Sequence, residues 1–184
     1  MTYKKTTLLL LSCLLSLSLC AQTTSTRSLK ATAEKHRQRY QSSCIPSSVE
    51  MILKYNNKVN ADFYDFQNAW QNKNTGTFGD FDGKTIKGIT FTHQFKNPRS
   101  PQFPFDKLFQ TIDAELKAGR KVIVSLQSGA AMWHIWIIDS ATKNGDYLCY
   151  SRDFYDNGQV LETRETKQWI RNMQGTDILT YRVK

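Results

Sequence analysis

A chain of 184 residues, 40% hydrophobic, 12% aromatic and 22% charged, fits a single globular domain and excludes disorder, a collagen-like repeat or a disulfide-dense miniprotein. Its 25 lysines and arginines against 16 aspartates and glutamates give a net charge of +9. The basic residues are dispersed and no recognition motif accompanies them, so no nucleic-acid partner is expected.

The N-terminus reads as an export signal. Lys4 and Lys5 precede an apolar run, Leu8 to Cys20. At about 13 residues it is too short for a bilayer span of roughly 20, but it suits a signal-peptide core. Cleavage is expected after Ala21, making residues 1–21 the signal peptide and the mature protein periplasmic or secreted. Lipidation of Cys20 is the competing fate, although Leu19 stands where a lipobox has a small residue. Loss of Lys4 and Lys5 lowers the net charge to +7 and leaves two cysteines, Cys44 and Cys149. Such a basic surface is expected to associate loosely with an anionic envelope. The two cysteines either pair or leave a thiol that has a use.

Residues 22–36, opening on the Thr/Ser-rich stretch Gln22 to Ser28, are expected to be a flexible lead-in to one domain over 37–184. Ser43 precedes a helical pattern in which Ile45, Val49, Ile52 and Leu53 share a face, with Pro46 tolerated in the first turn and Asn56-Asn57 ending it. Phe63, Phe66 and Trp70 mark a second short helix within Ala61 to Asn72, and Thr75 to Asp82 reads as loop. Lys84 to Lys96 is strand-like, interrupted at Gly88, and Pro98, Pro101 and Pro104 form a connector. Leu108, Phe109, Ile112 and Leu116 predict a helix that Gly119 caps. Beyond it the period changes. Lys121 to Leu126, Trp133 to Ser140, Tyr147 to Asp153 and Ile178 to Val183 are β-branched and aromatic runs, with one helix over Lys167 to Met173. Helices first and strands afterwards predict a segregated α+β fold.

Cys44 falls where a loop becomes the first turn of a helix. Unpaired amides and the helix dipole there favour a negative charge, and a thiol so placed is expected to have a lowered pKa. His134 opens the apolar run Ile135-Trp136-Ile137-Ile138, where a polar side chain needs a reason. His36, beside the lead-in, and His93, in a polar stretch, compete less well as a base. No clustered Cys/His spacing suggests zinc, no glycine-rich loop suggests a phosphate, and no cofactor is expected.

Three segments belong together: Gln38-Arg39-Tyr40-Gln41-Ser42-Ser43-Cys44, Gly119-Arg120-Lys121-Val122-Ile123-Val124, and Trp133-His134-Ile135-Trp136, followed by Asp153. Their order resembles the papain-like cysteine peptidases, in particular the compact bacterial branch that includes the double-glycine-leader peptidases. The resemblance covers most of Gln38 to Met173. It implies a papain-like α+β fold with the nucleophile helix packed on an antiparallel sheet, and a peptide or amide as substrate. It implies Cys44 as nucleophile and His134 as general base, with the Gln38 amide in the oxyanion hole and Gln41 as its substitute. The chain departs from the family pattern at Ile45 and Trp133, where the family has glycine after the nucleophile and before the histidine. Two other activities fit the same residues: a Cys-dependent acyltransferase and a papain-like binding protein without turnover.

Asn144-Gly145 is a two-residue hairpin signal. The register it sets faces Asp153 with Trp136, one diagonal step from His134 and on the same face, within side-chain reach. Asp153 is therefore the expected orienting carboxylate and the third member of a Cys-His-Asp triad. Asp139, an odd number of residues from His134, points to the opposite face, where loss of its charge is expected barely to touch turnover, making Asp139→Asn an isosteric control for Asp153→Asn.

Overall fold

The helix that opens at Cys44 is buried almost all round. Its apolar stripe, Ile45, Val49, Ile52 and Leu53, sits in the core, and so do Ser47, Ser48, Glu50 and Lys54. A helix this deep needs partners on every side, and the rest of the chain supplies them. The computed structural model describes residues 27–129 and 132–184, so the expected signal peptide and residues 22–26 lie outside the described residues.

In chain order the elements are α1 (Lys30–Lys35), α2 (Cys44–Tyr55), α3 (Asp65–Trp70), β1 (Thr85–Ile86), β2 (Ile89–Gln94), α4 (Phe105–Lys117), β3 (Val122–Gln127), β4 (Trp133–Ala141), β5 (Tyr147–Ser151), β6 (Leu161–Thr163), α5 (Thr166–Asn172) and β7 (Ile178–Val183). The strands form one sheet of order β1-β2-β7-β3-β4-β5-β6, antiparallel at every pairing. Strand alternation divides the core in two. Ile123, Ile135, Ile137, Tyr150 and Leu179 face α1 and α2. Val122, Val124, Trp136, Ile138 and Cys149 face α4 and α5 on the other side. This is the expected α+β arrangement, with the Cys44 helix against an antiparallel sheet. The α4 terminus follows its sequence signal. Gly119 has φ +77°, its N–H meets Leu116 O, and Arg120 N–H reaches back to Glu115 O, as in a Schellman cap.

Three expectations need correction. The lead-in is structured over its described part: α1 occupies Lys30–Lys35, and Leu29, Ala33 and His36 are all buried. The backbone N–H of Leu29 donates to Asp139 Oδ1 at 2.8 Å and so fixes the start of α1 on β4.

The second correction is the β4–β5 register. The turn is a three-residue loop: Gly145 N–H bonds Thr142 O, Gly145 is left-handed, and Thr142 N–H bonds Asp146 O. A bulge at Asp139 then shifts the pairing again, giving Ile138↔Cys149 and Ile137↔Tyr150. Continued past the strand ends, this register sets Asp153 level with His134 rather than Trp136. The extra loop residue alone would have turned Asp153 to the wrong face, and the bulge restores it.

The third correction concerns Asp139 itself. It does point away from His134, but Lys121 Nζ lies 2.7 Å from its carboxylate, with side chains 2% and 4% exposed. It is not a bystander. Removing one member of a buried pair leaves the other charge uncompensated, at a cost of about 3–5 kcal/mol. Urea unfolding of Asp139→Asn is expected to show a loss of that order. Asp139→Asn combined with Lys121→Met recovers most of it, because no buried charge is left alone. An Asp139→Asn protein as stable as wild type would contradict the pairing.

Candidate active site

The buried polar groups of α2 determine how the chain approaches Cys44. Glu50, wholly buried, accepts the backbone N–H groups of Phe66 and Gln67 at 2.9 and 3.0 Å and the Gln67 side-chain amide at 2.7 Å. Gln67 passes this anchorage on. Its Oε1 accepts from Arg39 N–H at 2.7 Å and from Ser43 Oγ at 2.9 Å, and its Nε2 also reaches Arg37 O at 3.0 Å. The segment before Cys44 is thereby held at three points. His36 closes the cluster: Lys54 Nζ donates to its Nδ1 and its Nε2 contacts Ser47 Oγ, each at 3.0 Å, while its ring stacks on Tyr64. Burial, reinforced by the Lys54 and Arg152 charges, lowers the His36 pKa well below the ordinary imidazole value. His36 is thus a neutral structural residue.

Cys44, His134 and Asp153 come together on one cleft of about 710 Å³. Cys44 enters at the N-terminus of α2, where the backbone amides of Ile45, Cys44 and Ile135 act to lower its pKa. These favour a thiolate, as the helix position suggested. Burial outweighs them, however, and with the Asp153 charge it raises the Cys44 pKa above the ordinary thiol value. The expected lowered pKa is corrected accordingly: the resting form is the neutral thiol. Both cysteines among the described residues, Cys44 and Cys149, are free and form no disulfide with each other. Cys149 is fully buried and bonded to Thr166, and burial raises its pKa far further.

His134 is buried, and desolvation lowers its pKa, with Asp153 opposing. Its Nε2 lies 2.8 Å from Ser151 Oγ and its Nδ1 3.6 Å from Asp153 Oδ2. The second distance suits a charge interaction but exceeds a hydrogen bond. Ser151 has one proton and gives it to Ile135 O, so its oxygen accepts from His134 Nε2–H. That bond fixes the neutral tautomer and leaves the Nδ1 lone pair free. No hydrogen bond joins Cys44 to His134 among the described residues. Asp153 is held in a turn: it accepts Tyr155 N–H at 2.8 Å, and Asp156 braces its N–H while pairing with the buried Arg152.

Gln38 does not take up its expected place. It is buried and absent from the cleft, and its amide donates to Tyr40 O at 2.9 Å and Gln41 O at 3.0 Å. The tight turn at Tyr40–Ser43, closed by Ser43 N–H on Tyr40 O, turns both carbonyls toward Gln38, whose amide braces the turn. Gln41, the expected substitute, does line the cleft. Ser151 carried no signal in the sequence, because its role depends on a strand pairing. Ile45 and Trp133 both line the cleft and narrow it beside Cys44 and His134.

The sequence profile of the Peptidase_C39 like family matches residues 19–175. No curated protein matches the chain.

The raised thiol predicts how Cys44 reacts. Its alkylation rate by iodoacetamide is expected to climb with pH through and beyond the ordinary thiol range, and Cys149 stays unmodified until the protein unfolds. A rate already at its plateau at neutral pH would show a lowered pKa and contradict the burial argument.

Proposed function

From the premise that this chain belongs to the peptidase C39-like family, and so to the papain-like cysteine peptidases, we propose that it hydrolyses a peptide or amide bond through a Cys44 thioester. The observation that carries the proposal is the shared cleft of Cys44, His134 and Asp153 at the start of α2. His134 Nδ1 takes the thiol proton as Cys44 Sγ attacks the acyl carbon, so the S–C bond forms with a neutral base rather than a standing ion pair. The transfer needs a side-chain shift that closes the Cys44–His134 gap, as unliganded sites commonly do on binding substrate. The oxyanion is met by the amide at the α2 terminus and by the Gln41 side chain. His134 then returns its proton to the leaving amine, the C–N bond breaks, and water, deprotonated by His134, releases the acid and regenerates the thiol. Ser151 holds the tautomer that leaves Nδ1 unprotonated, and Asp153 stabilises the imidazolium formed at Nδ1. Export, by removal of residues 1–21, belongs to the same proposal, on the charge and apolar pattern of that segment.

The test is a papain-type covalent activity probe on wild type and Cys44→Ala. Labelling of wild type alone is expected. A folded, reduced wild type that stays unlabelled would contradict the proposal and favour a binding protein. With a cleaved peptide in hand, Asp153→Asn is expected to lower kcat, but by less than the roughly 10⁴-fold that loss of a tautomer-setting carboxylate costs, because Ser151 keeps the tautomer. The acid limb of kcat/KM is expected below the ordinary imidazole value of 6.5. The sign follows from the lowered pKa: the base is needed neutral, so activity persists at neutral pH and is lost only as pH falls through the depressed value.

A further inference from the structure

Beside His134 the cleft holds a cation that no mechanism step uses. Arg99 comes from the proline-bounded connector, and its guanidinium carbon lies 3.5 Å from the centre of the Trp133 ring. Three restraints hold it there. Ser100 N–H donates to Gln174 O at 2.9 Å, Arg99 Nε donates to Gly175 O at 3.1 Å, and the indole supports the guanidinium face. Gly175 has φ +121° and packs so closely on Phe103 that an added Cβ would lie 2.3 Å from its ring, which fixes the accepting carbonyl. The two terminal nitrogens of Arg99 have no hydrogen-bond partner among the described residues, and no carboxylate pairs with the group there. Asp177, whose charge acts on Arg99, is engaged by His93 Nε2 at 2.8 Å. Lys73, the other cation lining the cleft, is paired with Asp80 at 2.9 Å.

We infer that Arg99, stacked on Trp133, is a specificity residue that receives a carboxylate on the leaving-group side of the scissile bond. This rests on the hydrolase reading above, because that reading assigns the sides: the acyl carbon lies over Cys44 and the amine that departs lies toward His134, whose chain neighbour is Trp133. A planar guanidinium held in place with two donors free matches a carboxylate's two oxygens and loses little entropy on binding. The carboxylate comes from an Asp or Glu side chain or from the substrate's own C-terminus, and both present the same fork. Asp153, in the same cleft, repels an anion placed beside Cys44, whereas Asp177, near Arg99, is engaged by His93.

The experiment has two readouts on wild type, Arg99→Gln and Arg99→Lys. In the first, a proteome-derived peptide library is digested and the cleavage sites are read by mass spectrometry. Sites with Asp, Glu or a free C-terminus within two residues after the cut are expected to be enriched about tenfold in wild type. Arg99→Gln loses the enrichment and Arg99→Lys, which keeps the charge without the fork, retains only part of it. A second library with amidated C-termini separates the two sources: enrichment that survives comes from side chains, and enrichment that vanishes comes from the terminus. Wild-type cleavage without acidic enrichment, or unchanged enrichment in Arg99→Gln, overturns the inference. The second readout needs no turnover: the rate of Cys44 alkylation by iodoacetate divided by that by iodoacetamide. Arg99→Gln is expected to lower this ratio about twofold or more. If wild type cuts no peptide, the hydrolase reading fails by itself and the ratio decides: a fall supports an anion-receiving Arg99, and an unchanged ratio overturns it.

Discussion

The carboxylate of Glu50 is the group on which the site depends. It sits on a helix that the core encloses, so it cannot be solvated, and burial raises its pKa. Three N–H donors from Phe66 and Gln67 compensate it. To supply them α3 must lie against α2, and Gln67, once there, holds the chain on both sides of the turn before Cys44. The need to satisfy one buried anion thus fixes where the nucleophile segment enters its helix. A half-satisfied network of this kind would be worse than an apolar one, so its members stand or fall together.

A second buried charge does the same on the sheet. Asp139 bulges out of β4 to reach Lys121 and the start of α1. The bulge resets the pairing with β5 by one residue, and that reset brings Asp153 level with His134. The head of α2, which carries Cys44, and the beginning of β4, which carries His134, are thus each positioned by a polar group that had to be paired. The strand itself presents Ile135 and Ile137 to α2, and their apolar contact brings the two elements together. Burial raises the Cys44 pKa and lowers that of His134, so it favours the neutral form of each.

Periodicity exposed α2 and α4 through their apolar stripes, and the central strands showed as continuous apolar runs because both of their faces are buried. Gly119, Asn56-Asn57 and Gly88 marked boundaries through local backbone chemistry, which a sequence displays directly. Cys44 and His134 were legible for a similar reason: each is a polar residue beside an apolar run. What the sequence concealed depends on partners far along the chain. Leu29–His36 looked like a lead-in because its anchor, Asp139, lies 110 residues away from Leu29. Asn144-Gly145 signalled a two-residue turn, yet a bulge five positions before it reset the register, and two one-residue errors cancelled at Asp153. Gln38 occupied the expected spacing but bonds the Tyr40 and Gln41 carbonyls, which only the folded turn reveals. Ser151 is silent in sequence for the same reason.

Burial at the site favours a neutral Cys44–His134 pair over a thiolate–imidazolium pair. The most direct measurement is an NMR titration of the His134 imidazole in the free protein and after methylthiolation of Cys44. A neutral pair gives a pKa below 6.5 in the free protein, since burial disfavours the imidazolium, and little change once the uncharged thiol is capped. A pKa above 6.5 that falls on methylthiolation is the signature of a thiolate–imidazolium pair and would contradict that reading.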